Sequence, residues 1–215
     1  MQKLESLPNA LKLIRRTPLG NRLGIMEILF GSSLENKGIR WVNTAADIPW
    51  KIDFGEPCHR WMIYGDYAGT NFLTWARNNV PTDGVIVDSG SNIGQFLPYF
   101  SKIVPDGLIL SYEPSSYCYG WLQDCLKENP ELPIQLHNFG LGEGESELFF
   151  EDQNHAAHGL WGTIKQHSND SNNEKVEIQS LDDQISTREF LKIDLWKLDV
   201  EGFEVQALKG AKKLL

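Results

Sequence analysis

An acid followed by small residues at every second position is the stretch of this chain best suited to binding a ligand. The pattern D-x-G-x-N-x-G runs from Asp88 to Gly94, directly after an apolar segment. A dinucleotide-binding turn has the pattern G-x-G-x-x-G, whereas this chain has Asn92 and Gln95 where two of the glycines would stand. The lysine of a Walker phosphate loop is also missing. The pattern predicts a ligand-binding turn that is not built for a pyrophosphate, in which Gly90 lets the ligand approach the backbone.

A second acid, Glu113, follows the next apolar segment. In open α/β sheets, ligands lie outside the carboxyl ends of the strands, and an acid at this point can accept hydrogen bonds from both ribose hydroxyls. Together with Asp88, it suits an adenosine cofactor without a pyrophosphate, and S-adenosylmethionine fits that description. The carboxylate of that cofactor would use exposed amides of the turn and of the following helix. The alternative is that Glu113 is a surface acid without a ligand.

Two further acids stand at the end of a later strand, in the sequence LDVEG from Leu198 to Gly202. Because side chains alternate along a strand, Asp199 and Glu201 are expected on one side of it, near the predicted ligand. A carboxylate there can take up a proton, so both are candidate catalytic residues. The alternative for Glu201 is a charge that favours the N-terminus of the next helix. Two carboxylates give weak support for a divalent metal, and no metal is predicted.

Apolar strands and helices alternate from residue 84 onward, which predicts a parallel sheet covered by helices on both faces. Strands are predicted at Val85–Asp88, Leu108–Tyr112, Ile134–Asn138 and Leu195–Val200, and helices at Ile93–Val104 and Ser116–Glu128. Pro98 lies inside the first of these helices and is expected to kink it. Alternating segments at Glu147–Phe150 and Val176–Gln179 predict an inserted hairpin around a polar run.

The residues before this α/β region are predicted to form a separate α+β cap. Segments Trp50–Phe54 and Arg60–Tyr64 alternate like short strands, and a helix is expected to begin at Thr70. The predicted domains are therefore an N-terminal cap at 1–84 and a ligand-binding domain at 85–215.

Composition excludes several partners. A formal net charge of −9 without a cluster of basic residues argues against nucleic acid and against an anionic membrane surface. The most apolar N-terminal run, Leu23–Phe30, is too short to span a bilayer and contains Glu27. Three cysteines without a C-x-x-C pair are typical of reduced thiols in a cytoplasmic protein.

Four motifs in order resemble the FkbM-type methyltransferases: VDSGSNIG at Val87–Gly94, YEP at Tyr112–Pro114, SLDD at Ser180–Asp183 and KLDVEGFE at Lys197–Glu204, followed by LKGA at Leu208–Ala211. The familiar forms of the first and last are V-D-V-G-A-N-I-G and K-I-D-V-E-G-x-E. The resemblance implies a Rossmann-like class I methyltransferase fold and S-adenosylmethionine as cofactor. The departures are Ser89 and Ser91, which replace the usual valine and alanine.

Site residues are implied by the same resemblance. The methionine part of the cofactor would lie against Asp88, Gly90, Asn92 and Gly94, the ribose against Glu113, and the adenine near Asn138. Substrates of the family are often hydroxyls on sugars, glycans or natural products. Asp199 is the first candidate for the base that assists such a hydroxyl. His155 and His158, on a loop that could close over the site, are second candidates.

The family's sheet normally has seven strands, whereas this chain ends after the helix that follows its fourth. We therefore expect a C-terminally incomplete sheet, with a fragment favoured over an edge covered by another chain. Two other functions stay open at this point. One is a non-catalytic protein that keeps the cofactor fold, and the other is a nicotinamide-dependent oxidoreductase, which the glycine spacing disfavours.

Overall fold

The computed structural model describes residues 2–17, 21–65, 70–152, 162–165, 174–186 and 192–214. The chain divides into two compact units. One contains Met1–Asn79 with Asp124–Leu132, and the other contains Val80–Gln123 with Pro133–Leu215. No helix in the described ranges is both long and apolar enough to cross a membrane.

In the described residues up to Asn79, the first unit joins four helices to a two-stranded antiparallel sheet. Its elements are α1 (Asn9–Ile14), α2 (Arg22–Leu34), a 3-10 turn (Glu35–Lys37), β1 (Ile39–Asn43), β2 (Pro49–Asp53), α3 (Pro57–Tyr64) and α4 (Thr70–Asn79). The strand expected near Trp50 is confirmed as β2, which pairs with β1.

The strand expected at 60–64 is wrong, because this segment belongs to helix α3. Pro57 occupies the first turn of the helix, where its missing N–H costs nothing. Buried side chains recur at Cys58 and Met62, four residues apart, as on one face of a helix. Arg60 is also buried and forms an ion pair with Glu27. Because a charged residue is buried here, the spacing of apolar residues alone does not show the helical period.

The second unit is built on a parallel four-stranded sheet, and the predicted Rossmann-like α/β class is confirmed. Its strands are β3 (Val85–Ser89), β4 (Leu108–Tyr112), β5 (Ile134–His137) and β10 (Leu195–Leu198), in the order β10-β3-β4-β5. All three pairings are parallel. Strand β3 is buried along its whole length. Because β3 lies between β10 and β4, its carboxyl end is flanked by the ends of these two strands, which carry predicted site residues.

Helices and a second sheet complete this unit. The helices are α5 (Leu97–Ile103), α6 (Ser116–Glu128, in this unit up to Gln123), α7 (Leu181–Ser186) and α8 (Glu204–Lys209). One buried cluster joins β3 and β4 to the last helices through Val87, Leu110, Tyr112, Leu181 and Ala207.

The two strands of the expected hairpin are confirmed as β7 (Ser146–Asp152) and β9 (Glu174–Gln179), which pair antiparallel. They do not form a simple hairpin, because β8 (Gly162–Lys165) lies between them in sequence and pairs with the other edge of β7. With β6 (Gly140–Leu141) they make a second sheet in the order β6-β9-β7-β8. The polar run at 166–173 lies outside the described residues.

The helix expected from Ile93 begins four residues later, at Leu97. Pro98 therefore lies in the first turn of α5 rather than in a helix interior, and it kinks nothing. The residues between β3 and α5 form a longer turn than expected, which carries the candidate site.

Candidate functional site

The turn after β3 has three residues in the left-handed region of backbone space. They are Gly90, Asn92 and Gly94, with φ angles of +73°, +54° and +83°. Glycine and asparagine tolerate this region better than other residues do. The small residues at every second position of the motif are thus explained by backbone conformation.

Gly90 is required by the protein's own backbone. A Cβ atom at this position would lie 2.0 Å from the carbonyl oxygen of Asp199, at the end of β10. A ligand was expected to approach the backbone closely at Gly90, but in this structure it is the chain at the end of β10 that does so. The glycine therefore allows β10 and the turn to meet.

The backbone amides from Gly90 to Gly94 have partners within the protein. The N–H groups of Gly90 and Ser91 donate to Tyr112 O, and that of Gly94 donates to Ser91 O. The N–H of Asn92 donates to Glu113 Oε2, and the N–H of Ile93 donates to Asn92 Oδ1. These five amides are therefore not available to the carboxylate of a cofactor. For the amides nearer the start of α5, the expectation that they hold this carboxylate stays a prediction.

Glu113 ties the turn to the ends of two strands. Its Oε2 accepts the N–H of Asn92 at 2.7 Å, and its Oε1 accepts the N–H of Ser115 at 2.9 Å. The side chain of Asn138 donates to the carbonyl oxygens of Glu113 and Pro114, at 3.0 and 3.1 Å. The structure thus brings Asn92, Glu113 and Asn138 together. Glu113 is not a surface acid, since it is buried.

Burial raises the pKa of Glu113 to about 7, although the backbone N–H groups of Ser115 and Asn92 and the cation of Lys197 oppose the rise. A carboxyl group in this environment is close to balance between its neutral and ionised forms near neutral pH.

Asp88 is fully buried on β3, and neither of its carboxylate oxygens has a hydrogen-bond partner among the described residues. Lys197 Nζ lies 3.1 Å from Asp88 Oδ1, as an ion pair without hydrogen-bond geometry. The same nitrogen donates to Gly90 O at 2.8 Å. Oxygens left without donors in a buried place suit a ligand that carries N–H groups or positive charge.

Lys197 is a site residue that the sequence argument missed. The register of β10 against β3 pairs it with Asp88, so the two side chains share a face of the sheet. A lysine between apolar residues of a predicted buried strand is the signal that could have found it, since a buried lysine needs an anionic partner.

Gln95 was also missed, because in the sequence it stands out only as the residue that replaces the third glycine of the pattern G-x-G-x-x-G. It is 8% exposed, and no hydrogen bond from its side chain is found among the described residues. Its amide atoms are not among the fully buried atoms that lack a partner, so they can be reached by water or a ligand. Gln95 is therefore a further candidate for ligand contact.

The two acids after β10 are placed differently from the expectation. The strand ends at Leu198, and Glu201 has a φ of +49°, so strand alternation does not put Asp199 and Glu201 on one side. Asp199 donates its N–H to Ser89 O, and its side chain is 64% exposed with Oδ2 3.5 Å from Lys197 Nζ. Asp199 is thus joined by an ion pair to Lys197, which also contacts the turn. Glu201 is exposed.

His155 and His158 lie outside the described residues, so the structure does not place them. Within the described ranges, no group of three or more histidine, cysteine, aspartate or glutamate side chains is arranged to hold a metal.

The two serines that depart from the family motif have internal partners. Ser89 Oγ accepts the indole N–H of Trp196 at 2.7 Å. Ser91 Oγ donates to Asp88 O at 3.0 Å and accepts from Ser111 Oγ at 2.7 Å. These hydroxyl groups fix the turn rather than face a ligand.

Replacing Gly90 by alanine tests the close approach, with Gly202→Ala as the matched control. Both glycines have positive φ, +73° and +92°, but a Cβ at Gly202 would meet nothing within 4 Å. We expect Gly202→Ala to lower the free energy of unfolding by about 1–2 kcal/mol. Gly90→Ala adds a backbone clash, for a loss of about 4 kcal/mol. Equal losses in urea denaturation would contradict the contact with Asp199.

The raised pKa of Glu113 predicts how stability depends on pH. The folded state favours the neutral carboxyl group, so the stabilisation is complete below pH 4.5 and is lost as the pH rises through about 7. Relative to Glu113→Gln, the wild type is expected to lose free energy of unfolding across this window and to stay level above it. The exposed Glu145 provides the control, because Glu145→Gln should follow the wild type at every pH. A constant difference between wild type and Glu113→Gln would refute the assignment.

Comparison with known proteins gives the family. The family model described as Methyltransferase FkbM domain matches residues 88–215. The chain is 29% identical over 147 residues to Methyltransferase 1 of Beauveria bassiana (strain ARSEF 2860), a match that covers 60% of this chain and 59% of the relative. It is also 29% identical over 165 residues to Methyltransferase sdnD of Sordaria araneosa, covering 61% and 62%. The chain thus spans about three fifths of the length of these curated relatives.

Two solved structures show a limited likeness to this chain. The crystal structure of methyltransferase FkbM from Methylobacillus flagellatus KT is 15% identical, with a TM-score of 0.46 over 95% of this chain and 44% of that chain. TYW2 of M. jannaschii, solved in complex with AdoMet, is 16% identical, with a TM-score of 0.35 over 47% and 43%.

The family match begins at Asp88, near the end of β3, and includes the glycine turn and the ends of β4, β5 and β10. Because the match extends over more than half of the chain, the chain belongs to the FkbM methyltransferase domain family.

Proposed function

We propose that this chain binds S-adenosylmethionine and transfers its methyl group to a hydroxyl on a sugar, glycan or natural product. The observation that carries the proposal is the cluster of oxygen-bearing groups at the carboxyl ends of β3, β4 and β10. It contains the Asp88 carboxylate, the Gly90 carbonyl, Glu113 and Asp199, with Lys197 as the cation within ion-pair distance of two of them.

The polarity of this cluster favours a cationic cofactor. A pyrophosphate needs free backbone N–H groups, and the five amides from Gly90 to Gly94 are already used within the protein. The carboxylate of Asp88, by contrast, has oxygens without hydrogen-bond donors among the described residues. S-adenosylmethionine carries an ammonium and a sulfonium group, which suit such oxygens. The same observations disfavour a nicotinamide-dependent oxidoreductase.

Each cofactor-binding residue has a proposed role. Asp88 accepts from the ammonium group, the turn of Gly90, Asn92 and Gly94 shapes the space for the methionine part, and Glu113 accepts from the ribose hydroxyls. Asn138, which is exposed and bonded to Glu113 O, lies at the adenine end. Gln95 adds an amide without a partner among the described residues.

Asp199 is the proposed general base. Bound S-adenosylmethionine supplies an electrophilic methyl carbon, so the chain has to align the acceptor hydroxyl and remove its proton. The acceptor oxygen forms the new bond to carbon while the carbon–sulfur bond breaks, and the hydroxyl proton passes to the Asp199 carboxylate. Exposure of this carboxylate lets an acceptor reach it. Glu201 and His158 remain second candidates for the base.

A non-catalytic protein that keeps the cofactor fold is the alternative. It would use the same turn and Glu113 without a base, and it would release no product from S-adenosylmethionine. Binding and turnover therefore have to be measured separately.

Calorimetric titration tests the cofactor. We expect the wild type to bind S-adenosylmethionine and not NAD, and Glu113→Ala to weaken binding at least about tenfold through loss of charge-assisted hydrogen bonds. Glu145→Ala, at an exposed position of the same unit, should bind as the wild type does. Binding of NAD in place of S-adenosylmethionine would end the methyltransferase proposal.

Replacement of Asp199 tests the base. With a panel of sugar, glycan and polyketide hydroxyl acceptors, we expect Asp199→Asn to lower release of S-adenosylhomocysteine about 100-fold or more, with cofactor affinity changed less than about threefold. Glu201→Gln in parallel shows whether the loss is particular to Asp199, and Glu145→Gln serves as the control. Unchanged turnover in Asp199→Asn would remove it from this role. Cofactor binding without turnover on any acceptor would favour the non-catalytic alternative.

A further inference from the structure

One ammonium group meets three oxygens at the end of β10. Lys197 Nζ donates to Gly90 O at 2.8 Å and lies 3.1 Å from Asp88 Oδ1 and 3.5 Å from Asp199 Oδ2. The side chain of Lys197 is 10% exposed, and its nitrogen lies 5.4 Å from the centre of the Phe96 ring. The nitrogen is thus fixed from several directions by groups of the turn and of β3.

Asp199 has far less to hold it. Its backbone is fixed to Ser89 O, but its side chain is 64% exposed. Across the described part of the chain, Lys197 is the side chain within ion-pair distance of its carboxylate. An exposed carboxylate without such a contact would be free to rotate away from the turn. The orientation of Asp199 relative to the turn therefore depends on Lys197.

We infer that Lys197 is a positioning residue, which uses its fixed contacts with Asp88 and Gly90 to hold the carboxylate of Asp199 beside the glycine turn. The inference rests on the proposed function, in which Asp199 accepts the proton of the acceptor. Lys197 touches neither the acceptor nor the transferred methyl group and acts through Asp199.

A purely structural role for Lys197 gives a different expectation. In that case the lysine serves only as the cation for the buried Asp88, and its loss affects folding without involving Asp199. Replacing Lys197 alone does not separate the two roles, because it leaves the buried carboxylate without a cation and destabilises the fold. The double variant Lys197→Met/Asp88→Asn removes both charges, and Asp88→Asn is its matched control.

The test is the effect of Asp199→Asn on turnover in three backgrounds, at saturating S-adenosylmethionine and with folding checked by thermal unfolding. We expect a loss of about 100-fold in the wild type and in Asp88→Asn, both of which keep Lys197. In Lys197→Met/Asp88→Asn the added loss of turnover should be less than about threefold, because the Asp199 carboxylate is no longer held beside the turn. This double variant should also have a lower kcat than Asp88→Asn at a similar KM for the cofactor.

An equal loss from Asp199→Asn in all three backgrounds would overturn the inference, as would a double variant as active as Asp88→Asn.

Failure of the proposed function has a different signature. If the wild type releases no S-adenosylhomocysteine, or if Asp199→Asn is harmless in the wild type, then the proposed reaction or base is wrong, and the inference falls with it. If Asp199→Asn is damaging in the wild type and equally so without Lys197, only the inference fails.

Discussion

The buried ion pair between Asp88 and Lys197 is the interaction on which the rest of the site depends. Asp88 lies on a strand without access to water, and a carboxylate in such a place needs a nearby cation. The parallel register of β10 and β3 supplies this cation from the adjacent strand. With its nitrogen fixed there, the lysine also binds Gly90 O, which brings the turn against the end of β10. The contact is so close that only glycine fits at position 90.

The turn shows how one backbone shape can serve ligands of opposite charge. A strand, a glycine turn and a helix bind phosphate when amide N–H groups point outward. In this chain the amides point inward, to Tyr112 O, Glu113 and the turn itself. Carboxylate and carbonyl oxygens are left at the ends of the strands instead. Asn92 contributes to this reversal, because its side chain accepts the N–H of the next residue.

Much of the second unit could be predicted from sequence because its strands are short, apolar and separated by helices of ordinary length. Helix α6 has the bounds expected of it, and β4 likewise. The start of α5 could not be located, because a proline is compatible with both a kinked interior and a first turn. Segment 60–64 was misread as a strand because Arg60 is buried through its pairing with Glu27, a contact invisible to periodicity.

The candidate site, too, could be predicted from the sequence only in part. Asp88, Gly90, Asn92 and Glu113 follow from motif and strand position, and the structure places them together. Lys197 and Gln95 were missed because their importance comes from neighbours across the sheet or from a missing partner, which residue type does not reveal. The expected pairing of Asp199 with Glu201 assumed that β10 continues to residue 200. The strand ends at Leu198, and a left-handed Glu201 turns the chain away.

The hydroxyl pair of Ser91 and Ser111 has a consequence for how this chain can diverge from its relatives. Ser111 is buried on β4, and its hydroxyl donates to Ser91 Oγ. An alanine at position 91, as in the usual motif, would leave that donor without its acceptor in a buried place. A change to the common motif is therefore tolerated best when position 111 becomes apolar in the same step. The two positions are coupled by a buried hydrogen bond between the turn and β4, although twenty residues separate them in sequence.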